Sequence, residues 1–279
     1  MNDIIFISSM THSGSTLLNI ILGGHNRLIG LGEIFQLIRD RSKGLQLFEK
    51  LDDQCSCGAQ IKECPIWGEV ANRLSENCPE SVLDRYDIVQ DVFYQQFGSN
   101  KVIVDSSKSL SYAKLLHSHP SVNVKMIHLV KDVRAYCISQ IDLAIRKDKK
   151  LKKRNPYKHM REWYKDNREM YEFFQTENIP VFRLGYEELS LYPEKIVSLL
   201  SKNLDIHFDE SMLELLPNTN HIAHGNRMAQ QKEKSAKIYY DNRWFYRSEW
   251  MLPFLLFPKV SKLNKQLVYS NETNRLWNQ

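Results

Sequence analysis

No apolar run in this sequence is long enough to cross a bilayer. The longest late one, "WMLPFLLFPKV" from Trp250, is eleven residues with two prolines inside it, against roughly 20 for a membrane helix. It reads as a buried segment. "MNDIIFISS" has no basic region followed by an apolar stretch and a small-residue cleavage site, so no leader is expected and the expected location is cytoplasmic. Internal repeats and proline- or glycine-rich linkers are also missing. One domain over 1–279 is therefore expected, carrying a cysteine-containing loop insertion at about 52–80. Charge of one sign is modest: a net +5 with 25% charged residues does not imply nucleic acid, though it favours an anionic ligand. Paired CxxC knuckles are absent. Four of the five cysteines fall between Cys55 and Cys78 in and after "CSCGAQIKECPIW". Because Cys-x-Cys strains two ligands on one metal, Cys55, Cys57, Cys64 and Cys78 read as a loop of half-buried thiols, open to one disulfide under oxidising conditions, in preference to zinc. No metal ligand is assigned.

What is present alternates in period. "IIFISSM" from Ile4, "RLIGLGE" ending at Glu33, "KVIVD" at 101–105, "VKMIHLV" at 124–130 and "PVFRLGY" at 180–186 are short apolar runs rich in β-branched residues. Between them, helical spacing marks 15–22, 81–96, 110–117, 134–146, 157–176 and 193–202. Strands alternating with helices give an α/β fold: three layers, P-loop-like, with a central, mostly parallel β-sheet flanked by helices.

Chemistry gathers where strands end. "SSMTHSGSTLL" runs a strand through a small-residue turn into a helix, an arrangement that aims backbone N–H groups at an anion, with Ser13, Ser15 and Thr16 adding hydroxyls. A Walker loop would carry lysine after its second glycine; here Ser15 follows Gly14, which argues against ATP with magnesium. "VIVDSSK" places Lys108 beyond another strand, and "LVKDVRAYCIS" places Lys131, Arg134 and Ser139 at a third strand-to-helix turn. Three such ends suggest a ligand with two separated phosphate groups. The run Arg146–Lys158 reads as a solvated loop, with a rim for a negatively charged acceptor as the alternative.

These motifs resemble the sulfotransferases that use 3′-phosphoadenosine 5′-phosphosulfate (PAPS), in their tyrosylprotein-like and bacterial carbohydrate-type branch. "THSGSTLL" is similar to their 5′-phosphosulfate loop, so the resemblance implies donor contacts from His12, Ser13, Gly14, Ser15, Thr16 and Leu17. "LVKDVRAYCIS" is similar to their 3′-phosphate element, implying the same for Lys131, Arg134 and Ser139. "LGE" resembles the glycine-glutamate whose carboxylate is the catalytic base, here Glu33. "HGNRM" resembles a late element that closes over the donor, adding Asn226 and Arg227. The branch often carries a "CxCG…CPxW" segment, matched by Cys55 to Trp67. Two departures stand out: His12 where Arg or Lys is usual, and Lys131 where Arg is commoner.

The implied reaction is in-line transfer of a sulfuryl group from PAPS to an acceptor hydroxyl, with no metal required. Glu33 would take the proton, and Lys108 and His12 would steady the charge on the leaving oxygen. The acceptor would be a carbohydrate, a lipid or another small metabolite, with an anionic one favoured by the basic run. His25 reads as structural, and the aromatic cluster 238–250 as packing, with Tyr239 and Trp244 the candidates to flank an acceptor. The competing readings are a P-loop kinase or NTPase, and a degenerate nucleotide-binding protein acting through interaction alone.

Overall fold

The computed structural model describes residues 2–39, 45–147, 154–215, 219–224 and 238–269. Five strands form a parallel sheet: β1 (Asn2–Ser9), β2 (Leu28–Gly32), β3 (Val102–Lys108), β4 (Val122–Val130) and β5 (Val181–Gly185), in the order β2-β3-β1-β4-β5. The flanking helices are α1 (Ser15–Leu22), α2 (Ile34–Ile38), α3 (Trp67–Glu76), α4 (Val82–Phe97), α5 (Leu110–His117), α6 (Val133–Arg146), α7 (Pro156–Thr176), α8 (Tyr186–Leu191), α9 (Pro193–Asn203), α10 (Met251–Leu256) and α11 (Pro258–Val268). The α/β reading of the sequence holds, with the sheet parallel throughout.

The chain forms two compact units. The first takes Met1–Ser8, Ser15–Met126 and Leu204–Lys237; the second takes Ser9–Gly14, Ile127–Asn203 and Ile238–Gln279. In the first, Ile4, Ile5, Phe6 and Ile7 are all buried, as expected of a strand covered on both faces. Helix α4 begins where Ser81 accepts from the N–H groups of Leu83 and Asp84, a cap worth about 1 kcal/mol. Tyr86, Val89 and Phe93 then line its buried face. Register slips twice near the strand ends. Phe6 pairs with Asp105 but Ser8 with Lys108, and Gly30 pairs with Val104 but Gly32 with Asp105. Such bulges twist a strand and re-aim its last side chains.

In the second unit, Asn155 caps α7 and Pro156 opens it, a favourable first-turn residue because it has no N–H to leave unpaired. Met160, Trp163, Met170 and Phe174 are buried along α7, and Met160 and Trp163 pack with Val133, Ile138, Val260, Leu263 and Leu267.

Two readings need correction. The cysteine segment is not loop throughout: Trp67, Val70, Ala71 and Leu74 recur at helical spacing, are buried, and make α3. "WMLPFLLFPKV" is not buried. Pro253 is covered and Phe254 packs on the core, but Met251, Leu252, Leu255 and Leu256 of α10 are exposed. With prolines at 253 and 258, the run breaks into two helices and only one side of α10 faces inward.

Candidate functional site

Each candidate group of the described residues follows the carboxyl end of a strand, where open α/β sheets take their ligands. Glu33 follows β2 and Lys108 ends β3, and their side chains form an ion pair of 2.5 Å, both about seven-eighths buried. Lys108 reaches it with φ at 70°, in the left-handed region that a side chain with a Cβ rarely adopts. Strain of this kind persists only where surrounding contacts fix it. Glu33 is also the N-cap residue of α2, yet its carboxylate makes no cap hydrogen bond. Its charge is directed at Lys108 and not at the helix.

Beneath this pair lies a network that sequence reading missed. Asp105 is fully buried on β3; its Oδ1 accepts from the Ser107 N–H and Oγ, and its Oδ2 from the Tyr86 hydroxyl. Its carboxyl also accepts from the N–H of Ile34, and Ser107 Oγ accepts from Phe35 N–H at 3.0 Å. One carboxylate and one hydroxyl thus hold the first turn of α2, and with it Glu33. Burial pushes the Asp105 carboxyl up to about 7 against the pull of these donors. On the other side, Glu33 N–H donates to His224 O.

The turn after β1 belongs to the second unit as far as Gly14. His12 is exposed, with φ at 64°. Gly14 has φ at +94°, and a Cβ there would sit 2.5 Å from Cδ2 of Tyr186. Both facts demand glycine. Ser13 is buried, and so are Ser15, Thr16 and Leu17 in the first turn of α1.

Lys131 follows β4, and Ser139 lies two turns into α6. They meet: Lys131 Nζ is 3.5 Å from Ser139 Oγ. The buried ammonium also pairs with Asp241 at 3.0 Å and lies 4.6 Å from the centre of the Tyr186 ring. Burial works against the Asp241 charge, but Arg243 and Lys131 outweigh it and hold the carboxyl below its usual range. Asp241 was not foreseen, because nothing in its local sequence marks it. Arg134 turns elsewhere, gripping Asp132 through Nε and Nη2 while stacking 4.0 Å from the Trp244 ring centre. Asp132 itself caps α6 and takes donors from Asn264 and Tyr269. Trp244 is accordingly packing, whereas Tyr239 is exposed. Asn226 and Arg227 lie outside the described residues, as do 148–153 of the basic run.

His25 is buried, accepts from Arg27 N–H and faces His207 at 3.4 Å; burial and then His207 lower its pKa, in keeping with a structural role. The thiols differ from expectation. Cys55, Cys57 and Cys64 converge with His221, while Cys78 is exposed. Hydrogen bonds from Cys55 and Cys64 hold the Cys57 thiol below its usual range.

The family model described as "Sulfotransferase family" matches residues 3–210. Among solved structures, the chain resembles the sulfotransferase domain from the Synechococcus PCC 7002 olefin synthase, at 21% identity and a TM-score of 0.57, covering 95% of this chain and 94% of that one. It also resembles the sulfotransferase domain from the curacin biosynthetic pathway, at 22% identity and a TM-score of 0.56, covering 96% and 98%. A third likeness is to sulfotransferase STF9 from Mycobacterium avium, at 12% identity and a TM-score of 0.52, covering 94% and 76%. No curated protein matches the chain.

Proposed function

Because the chain belongs to the sulfotransferase family, we propose that it moves a sulfuryl group from PAPS to the hydroxyl of a small acceptor, a carbohydrate, lipid or other metabolite. The observation that carries the donor assignment is the convergence of Lys131 and Ser139, a buried ammonium 3.5 Å from a hydroxyl. Such a pair suits a phosphate monoester, the feature that separates PAPS from ATP. On this reading the backbone N–H groups of Gly14, Ser15 and Thr16, with Ser13, Leu17 and His12, hold the 5′-phosphosulfate. Asn226 and Arg227 are proposed to add donor contacts. Arg134 serves by fixing Asp132 and the start of α6, since its guanidinium is already bound there.

Glu33 and Lys108 then act together. The acceptor oxygen attacks sulfur, its proton passes to Glu33, the bond from sulfur to the bridging oxygen breaks, and the electron pair stays on the 5′-phosphate. The ion pair sets the Glu33 carboxylate, the base on this reading, beside the Lys108 ammonium. Once it is protonated, Lys108 loses its counter-charge at the moment negative charge builds on the leaving oxygen. The ion pair thereby couples proton removal to electrostatic relief.

The test is turnover. With PAPS and a panel of sugar, lipid and phenolic hydroxyl compounds, release of 3′,5′-ADP should depend on an acceptor and fall at least ~10²-fold in Glu33→Gln. Turnover of ATP with magnesium in place of PAPS would contradict the reading.

A further inference from the structure

Three thiols and an imidazole meet in the first unit, from stretches that lie 157 residues apart in the chain at their closest ligand pair. The ligand atoms of Cys55, Cys57, Cys64 and His221 all lie within 4.8 Å of one another, and Cys64 Sγ is 3.2 Å from His221 Nδ1. A tetrahedral zinc with bonds of about 2.3 Å to sulfur and about 2.0 Å to nitrogen spaces such ligand atoms at roughly 3.5–3.8 Å. We propose that these four residues bind one zinc ion in a closed structural site.

The local fold is built to present the thiols. Gly58, with φ at +97°, turns the chain so that Cys55 N–H donates to Ala59 O and Gly58 N–H returns to Cys55 O. A bridge between Gln54 and Gln60 closes this knuckle, which lets Cys55 and Cys57 point to one spot despite their short spacing. A 3₁₀ turn at Ile61–Glu63 then delivers Cys64. On the far side, the main chain fixes His221: its N–H donates to Gly30 O and its carbonyl accepts from Trp67 Nε1. Cys55 and Cys64 are buried, and none of the three thiols is in a disulfide.

Chemistry selects the occupant. Three sulfur ligands and one nitrogen are a soft, four-fold set that suits zinc and leaves no place for the water that a catalytic ion would activate. A disulfide would use two sulfurs and leave the third beside an imidazole with no purpose. The ion would clamp the 55–64 loop to the segment 219–224. That segment also receives Gly30 N–H on Asn220 Oδ1 and gives His224 O to the N–H of Glu33. The site thus braces the strand end that carries Glu33. It takes no part in the transfer.

Metal content tests this without any assay of sulfuryl transfer, so its failure and that of the donor reading are separable. The full chain, purified under reducing conditions without a histidine tag, should hold about one zinc per chain by plasma mass spectrometry. A thiol-modifying mercurial should release it to a metallochromic dye. Replacing zinc with cobalt should give the intense visible bands of a tetrahedral thiolate site. Cys64→Ser and His221→Ala should each lose most of the metal, and Cys78→Ser should keep it. Should those two variants fail to fold, the wild-type zinc content and cobalt spectrum still decide. Protein with less than about a tenth of an equivalent of zinc, taking up neither added zinc nor cobalt, would overturn the proposal. So would mass-spectrometric detection of a disulfide between two of the three cysteines in that protein.

Discussion

At the scale of single residues, the ammonium groups of Lys108 and Lys131 have different partners and so different consequences. Lys131 faces both Ser139 and Asp241, so on the proposed reading a 3′-phosphate would compete with a carboxylate for one charge. Lys131→Ala should weaken 3′,5′-ADP at least ~10-fold and, by leaving Asp241 to Arg243 alone, lower unfolding stability by ~1–3 kcal/mol. Ser139→Ala should weaken the ligand with little loss of stability, which calorimetry and urea denaturation would separate. Glu33→Gln should lower kcat by ~10²–10⁴-fold while 3′,5′-ADP affinity stays near wild type. A fall in affinity as large as the fall in rate would assign Glu33 to binding. Much of this was legible. The lysine-serine spacing and the glutamate after a strand were plain in the sequence, whereas Asp241 and Tyr186 were not, because they arrive from distant stretches with no motif of their own.

Elements explain why Glu33 stands where it does. β2 ends in a register slip, and the first turn of α2 is held by Asp105 and Ser107 of β3. The pH dependence follows from Asp105. Its folded pKa of about 7 lies above the 3.8 of an ordinary aspartate, so the folded chain keeps a proton that the unfolded chain gives up. Its contribution to stability is present in full below about pH 4 and is lost as pH rises through about 7. Asp105→Asn should therefore shrink the difference between urea midpoints at pH 5 and pH 8; an unchanged difference would refute this source. On α10, Leu255 and Leu256 face solvent, so Leu255→Lys should change stability by no more than ~0.5 kcal/mol, whereas a buried role would cost several times that. Strands and long helices were readable because burial imposes period 2 or 3.6. The short α8 and α10 were not, since one or two turns carry too little periodicity, and α3 and α11 were missed despite their length, α3 because its stretch was read as part of the cysteine loop.

For the whole molecule, the order of strands and helices was the most legible feature, and alternation alone led to the parallel α/β sheet. Family membership was legible from short motifs at strand ends, where a ligand constrains residue type as strongly as packing does. The thiol cluster was half legible: Cys55, Cys57 and Cys64 were visible, but the expected fourth member, Cys78, is exposed and His221 stands in that place. Only the path of the chain around β2 brings that histidine in. The central claim concerns the donor, and calorimetric titration with 3′,5′-ADP, 5′-ADP and ATP in the absence of magnesium tests it most directly. 3′,5′-ADP should bind at least ~10-fold more tightly than either of the others, with the advantage lost in Lys131→Ala. Equal affinity for the three nucleotides would contradict it.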